Sequence, residues 1–401
     1  MNNMKIGKNT ISAYIIPSSD AHNSEYLSDQ FKRLQFISNF TGSSGTAVIT
    51  NDHAILWTDS RYFIQARKEL DSSWHLMKDG MTDTLSIGDW LCSNLHAKNS
   101  VGIDATLYEE DLFSVLYSKL KSCQLDLIHI EQNLVDLLMK PLVPLNKEHN
   151  RLIKLDEKYV GKRTSAKLKE IRDIMNKLKV NSLVVTSLDE IAWLLNMRYN
   201  GEMPFSPVFF AYVIITKSSI KLFTNLKRLD DKCNESVTMT FKEYLRNEDE
   251  NFEFYEYNEF YRYFSSFVNK TYSLANKDIK NKEKIFLSSS SNHVIHSSLP
   301  LEFIHKDVSL LLKLKVIKSE NEIQSAKRIH IRDSSMLVEF FYQIDKHFKC
   351  NESNCSKHDS NARIFEEDLN EFELAQYLGK YYFEMKMVCY LSITWPQRDI
   401  F

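Results

Sequence analysis

Apolar positions along this chain alternate between the two periods that separate strands from helices. Thr46–Thr50 and Ala54–Thr58 are short runs of small, β-branched and aromatic residues divided by Asn51, Asp52 and His53, and together they predict a β-hairpin. Residues 13–16 and 101–104 predict further strands, and 110–120 a helix. Beyond a polar link at 147–163, Leu168, Ile171, Ile174, Met175 and Leu178 recur at helical spacing within Thr164–Leu178, ahead of a buried strand at 182–186. Ser187 and Glu190 stand at capping-box spacing before Ile191, Trp193, Leu194 and Leu195, so a helix is expected to start there. Asn200 and Gly201 supply a turn, and 208–216 with Ile220–Thr224 predict a second hairpin. Another capping-box pair, Ser319 and Glu322, opens a long helix carrying Ile323, Ala326, Ile329, Met336, Leu337, Phe340, Phe341 and Ile344, and Glu371–Glu384 predicts one more. The order is two successive α/β units of similar size followed by helices, with no sequence motif repeated between the units.

The first hairpin has unusual surroundings. Gly42 and Gly45 bracket two serines just before it, as suits a backbone that bends sharply. Asp59 or Ser60 can cap the helix that follows, whose buried side is assigned to Phe63, Ile64 and Ala66. Arg61 then falls in the first helical turn, where a cation opposes the macrodipole at a cost of about 0.3–1 kcal/mol. Two readings offset that cost. Arg61 pairs with a carboxylate such as Asp59 at the surface, or its fork receives a peptide carbonyl or carboxylate.

Composition narrows the class. The chain has 401 residues, 43% hydrophobic and 12% aromatic, enough for more than one core. A formal net charge of -2 gives no basic bias that would recruit nucleic acid. The first ten residues lack the apolar core of a signal peptide, and no run is long and apolar enough to span a bilayer. Six cysteines, Cys92, Cys123, Cys233, Cys350, Cys355 and Cys389, show no framework spacing, so reduced thiols and a cytoplasmic location are expected. Trp193, Phe209, Phe210 and Tyr212 stand at helical and strand spacing and read as core rather than as a binding platform. Asp189 and Glu190 read as capping and dipole partners rather than an acid–base pair.

Catalytic signatures are sparse. No H-E-x-x-H or G-x-x-x-x-G-K-[ST] pattern occurs, and residues 42–45 are not a nucleophile elbow because the second glycine comes one position too soon. His347, Cys350, Cys355 and His358 offer four ligands at a spacing that could surround zinc, but the stretch reads equally well as a solvated loop with exposed thiols, which is the favoured reading.

The residues SAYIIPSSDAHNSEYL (12–27), RLQFISNFTGSSGTAVIT (33–50), TDSRYF (58–63), VGIDATLY (101–108), VVTSLDEIAWLLNMRYN (184–200) and SPVFFAYVII (206–215) resemble, in order, the creatinase, prolidase and aminopeptidase P family, and within it the cytosolic Xaa-Pro aminopeptidases. The resemblance implies two creatinase N-terminal-like, ribonuclease H-like α/β domains, at 1–157 and 158–312, followed at 313–401 by the first helices of an incomplete pita-bread domain. The family reaction is metal-dependent removal of an N-terminal residue preceding proline, and the resemblance implies that Arg61, in TDSRYF, contacts bound peptide at the mouth of the active site.

Resemblance stops near Met385, and the last sixteen residues do not follow the family's continuation. In the resembled enzymes two ions, usually manganese, are held by two aspartates, a histidine and two glutamates beyond this point, and activate a bridging water. The expectation is therefore a chain without the metal site, binding no manganese itself, with no catalytic residue of its own and Arg61 as its substrate contact. The competing expectation is a non-catalytic peptide- or protein-binding module, or a truncated form that pairs with a full-length enzyme, since the resembled enzymes form homodimers. An unfinished catalytic domain would leave Ile323, Met336, Phe340 and Phe341 exposed and prone to association.

Overall fold

The computed structural model describes residues 5–6, 9–139, 151–234, 237–272, 283–352 and 370–384. The chain divides into two units, one made of residues 1–155 with 163–317 and the other of 156–162 with 318–401.

Two mixed sheets organise the first unit, one in each of two lobes. The first sheet takes β1 (Asn9–Pro17), β2 (Thr46–Thr50), β3 (Ala54–Thr58), β4 (Trp74–Lys78), β5 (Ser100–Ile103) and β6 (Asp126–His129). The second takes β7 (Val180–Val185), β8 (Tyr212–Thr216), β9 (Ile220–Thr224), β10 (Phe252–Glu256), β11 (Lys284–Ser288) and β12 (Ile304–Asp307). Counted in chain order within each sheet, both run 4-3-2-1-5-6. In both, the first strand pairs antiparallel with the second and the second with the third, and the remaining pairings of this order are parallel; a two-residue strand, Lys5–Ile6, also joins the first sheet antiparallel to β1. The lobes therefore share a topology that their sequences do not advertise, because a sheet constrains which positions are buried more than which residues fill them. Both expected hairpins form, with Thr46 opposite Trp57 and Tyr212 opposite Phe223.

The helices of this unit used below are α1 (Phe63–Glu69), α2 (Ile87–Asn94), α3 (Glu110–Ser122), α4 (Thr164–Leu178), α5 (Leu188–Leu195) and α6 (His293–Ser297). On α4, Leu168, Ile171 and Met175 are buried as their spacing predicts. So is Lys167, 1% exposed, whose Nζ donates to the Trp193 carbonyl and to Asn196 Oδ1, each at 2.6 Å. Buried ammonium is tolerated there because two acceptors and the Trp193 ring, 4.2 Å from the nitrogen, replace its hydration.

Four expectations are corrected. Ser187 is the N-cap of α5 but makes no side-chain capping bond, and Glu190 instead turns inward to accept from Ser309 Oγ at 2.6 Å. A tertiary partner distant in sequence has displaced the local one. Ile64 lies 72% exposed, and only Ala66 of the assigned face is fully buried, because Ser60–Tyr62 forms a 3-10 turn that shifts the phase of α1. The link expected at 147–163 carries regular structure among its described residues: Leu152–Lys154 pairs antiparallel with Met197–Tyr199, and Glu157–Val160 is a helical turn. Finally, Cys92 and Cys123 form a disulfide rather than two free thiols, since α2 and the end of α3 bring together positions 31 apart in sequence, a proximity that cysteine spacing does not reveal.

In the second unit α7 (Glu320–Glu352) and α8 (Glu371–Glu384) form as expected, and Ser319 with Glu322 makes the reciprocal capping box. Ile323 and Phe341 are exposed, but Met336 and Phe340 are buried, the Phe340 ring lying 6.1 Å from Tyr377 of α8, which narrows the expected patch.

The lobes of the first unit meet around His22. Asp20 Oδ1 accepts from the backbone N–H of His22 and Ser24, both at 3.0 Å, and this turn aims the imidazole at the second lobe. His22 Nδ1 lies 2.8 Å from the Thr186 carbonyl, which can only accept, so Nδ1 carries the proton and Nε2 accepts from the Tyr257 hydroxyl at 2.7 Å. Asn292 Nδ2 donates to the Ala21 carbonyl at 3.1 Å and to Tyr261 Oη at 3.0 Å, and the Tyr212 ring lies 4.5 Å from the imidazole. Burial pushes the His22 pKa below its ordinary value, against the opposing pull of Asp20 and of the Thr186 bond.

Two pH effects of opposite sign follow. His22 stays neutral in the folded state, so its contribution is present above about 6.5 and is lost as pH falls through the depressed folded value. His22→Gln should be less stable than the parent by about 1–3 kcal/mol at pH 8, with the gap narrowing below pH 6.5, as read from urea midpoints. Glu190 behaves the other way: burial raises its carboxyl from 4.5 to about 7, so its contribution is present below 4.5 and lost as pH rises through 7. Glu190→Gln, neutral throughout, should gain up to about 3 kcal/mol over the parent at pH 8 and nothing at pH 4.5; a gain independent of pH would refute the assignment.

Candidate functional site

Phe40 is fully buried beneath the turn that precedes β2. A Cβ on Gly42 would meet the Phe40 ring at 2.2 Å, and one on Gly45 would meet Leu34 Cδ2 at 3.1 Å, so these glycines are required for close approach. Thr58 Oγ1 donates to the Ser44 carbonyl at 2.6 Å, the Gly45 N–H donates to Ser18 Oγ at 2.9 Å, and Ser43 Oγ and Tyr62 Oη share a bond of 2.6 Å. The loop is thereby fixed to β1, to β3 and to the turn that carries Arg61.

Asp59 caps that turn and accepts from the Arg61 backbone N–H at 3.1 Å. Its two oxygens also accept from Arg61 Nε at 2.9 Å and Nη2 at 2.8 Å, a bidentate fork. These hydrogen bonds hold the Asp59 carboxyl down at about 2 and push the guanidinium above its ordinary value. The Arg61 side chain is 65% exposed, its Cζ lies 5.0 Å from the Tyr62 ring centroid, and Nη1 makes no hydrogen bond among the described residues. The surface pairing with Asp59 is thus realised. It also leaves an oriented cation with a donor edge to spare, and an exposed ion pair of this kind is weak, so a ligand carboxylate can replace part of it at little cost.

Sequence reasoning missed the aromatic neighbour of this face. Tyr26 lies within electrostatic reach of Arg61, and its ring meets Phe205 of the second lobe edge-on at 5.2 Å. Phe205 holds φ at +60°, a conformation uncommon for a bulky side chain. Nothing in the local sequence signals this contact.

Other expected features fall elsewhere. Phe209, Phe210 and Tyr212 are buried in the second lobe, and Asp189 pairs with Lys315 at the surface. Of the suggested zinc cluster, His347 is buried on α7, while the Cys350 side chain, Cys355 and His358 lie outside the described residues. Among the described residues no group of three His, Cys, Asp or Glu side chains is arranged to hold a metal ion, so the residues described do not fit a dinuclear centre. No helix among them is long and apolar enough to cross a membrane.

Comparison with known proteins gives this geometry its context. Residues 4–136 and 144–322 each match a Creatinase/Prolidase N-terminal domain. Xaa-Pro aminopeptidase 1 of Dictyostelium discoideum is 36% identical over 345 residues, 82% of this chain and 50% of that protein. A probable Xaa-Pro aminopeptidase P of Coprinopsis cinerea is 36% identical over 374 residues, 92% of this chain and 57% of that protein. The crystal structure of X-prolyl aminopeptidase from Caenorhabditis elegans, described as a cytosolic enzyme with a di-nuclear active site, superposes with a TM-score of 0.79 at 30% identity, covering 94% of this chain and 56% of that one. The chain spans about half the length of the curated relatives it matches. With two domain matches in series and this likeness across most of its length, the chain belongs to the creatinase/prolidase family, as a homologue of the Xaa-Pro aminopeptidases.

Proposed function

We propose that this chain is the peptide-facing portion of a cytosolic Xaa-Pro aminopeptidase, and that Arg61 contacts the carbonyl or carboxylate of a peptide with proline at its second position. The observation that carries the reading is the exposed guanidinium of Arg61, set by the Asp59 fork on a loop that is itself pinned to the sheet. Three features make it suited to that role. Its charge is permanent, its orientation is fixed before a ligand arrives, and its present partner is only half-buried and readily shared.

On this reading the chain binds and orients peptide, and hydrolysis depends on a two-manganese centre that these residues do not build. No hydrolytic step is therefore assigned to any side chain described above. Pairing with a full-length relative is the means by which the bound peptide would meet such a centre.

The test is hydrolysis of an Arg-Pro-Pro peptide by the purified chain with added manganese, with bound metal and peptide affinity measured on the same preparation. Neither turnover nor stoichiometric metal is expected, and peptide binding should weaken roughly tenfold or more in Arg61→Ala, the loss of a charge-assisted hydrogen bond. The same variant should keep the parent's urea midpoint, because an exposed pair contributes little to stability. Turnover with bound manganese would overturn the division of labour proposed here, and peptide affinity indifferent to Arg61 would remove that residue from it.

A further inference from the structure

We propose that the Cys92–Cys123 bond is a reversible redox clamp on α3, the helix whose opposite end holds the two lobes together. Three observations converge on it. First, α2 and α3 lie close because Gly88 has no side chain: a Cβ there would meet Lys119 Cγ at 2.8 Å. Their contacts advance by one turn on each helix, from Gly88 against Lys119 to Cys92 bonded to Cys123. Across the same surfaces Asp89 and Lys119 make an exposed ion pair, which is weak.

Second, the beginning of α3 is where the second lobe docks. The Glu110 N–H donates to the Ser291 carbonyl at 3.2 Å, and the His293 N–H donates to the Tyr108 carbonyl at 2.8 Å. Glu110 Oε2 lies 2.7 Å from His293 Nδ1, the Phe113 ring stacks on that imidazole at 3.5 Å, and Asp111 pairs with Lys306. The helix is 13 residues long, about 20 Å, and a rigid element of that length carries a displacement at one end to the other.

Third, both cysteines are half-buried rather than enclosed in the core, so small thiols can reach the bond. Cys233 makes a contrast within the same unit, since it is buried and its burial pushes the thiol pKa up.

The chemistry is thiol–disulfide exchange with a low-molecular-weight disulfide, RSSR. One cysteine thiolate attacks a sulfur of RSSR and expels RS⁻, and the second attacks the resulting mixed disulfide at the protein sulfur and expels another RS⁻. Two electrons pass from the cysteine pair to RSSR, the two thiol protons leave with the expelled thiolates as RSH, and two RSH molecules reverse the process. When the bond opens, α3 loses its covalent hold on α2, and the contacts of Glu110, Asp111 and Phe113 with the second lobe loosen.

The experiment uses the full chain equilibrated in mixtures of reduced and oxidised glutathione, then alkylated and mapped by mass spectrometry, with amide exchange followed in segments 105–116 and 289–297. The expected result is a single two-electron transition at Cys92 and Cys123, with exchange in both segments rising on the order of tenfold or more as the bond opens. Cys92→Ser/Cys123→Ser should show no transition and should exchange like the reduced parent. If that variant does not fold, parent protein alkylated after mild reduction takes its place. A bond that stays closed throughout, a pair that never closes, or opening that leaves both segments equally protected would each overturn the proposal.

Discussion

The rest of the first unit depends on a constraint of polar accounting where the lobes meet. His22 is sealed between a carbonyl that can only accept and a phenol placed to donate, so one tautomer of one charge state satisfies the site. A shift of either lobe by about 1 Å would leave a buried donor or acceptor without its partner. Apolar packing alone tolerates small slips, whereas this arrangement does not. Asn292, bonded to the Ala21 carbonyl and Tyr261, applies the same restriction from the opposite side. The orientation of the lobes is thereby specified by hydrogen-bond identity, and with it the approach of Phe205 to Tyr26 beside Arg61.

Arg61 illustrates a division between support and contact. What holds the residue in place is buried and unforgiving: Phe40 packed under two glycines, and a loop bonded to β1 and β3. What holds the guanidinium itself is exposed and weak. A binding group is best placed in this way, because rigidity below the surface lowers the ordering cost of recognition while a shallow ion pair keeps the charge available.

Much of this was legible in sequence and the remainder has identifiable reasons. Hairpins written as β-branched runs around a polar break, and α4 with its apolar spacing, depend on local pattern and formed where that pattern lies, although the strand expected over 208–216 begins only at Tyr212. Arg61 could be singled out because a cation in a first helical turn is a local anomaly. Features that depend on distant residues were hidden. Glu190 has a capping serine three residues away yet bonds to Ser309, 119 residues on, and no local rule ranks the second above the first. Cys92 with Cys123, and His22 with Tyr257, are likewise pairs created by topology. Their residues carried a weak signal at most, a polar cluster straight after a strand, which reads as ordinary loop.

The duplicated strand order bears on how the molecule is made. Every strand of the first sheet comes from residues 5–129 and every strand of the second from 180–307, with none exchanged between them. Each sheet begins with local antiparallel hairpins and adds its parallel strands later, so each has its own early nucleus and its own slow closing step. During synthesis the first lobe can complete its sheet while the second is still unwritten, and the last event in building the unit is the meeting of two finished surfaces around one imidazole.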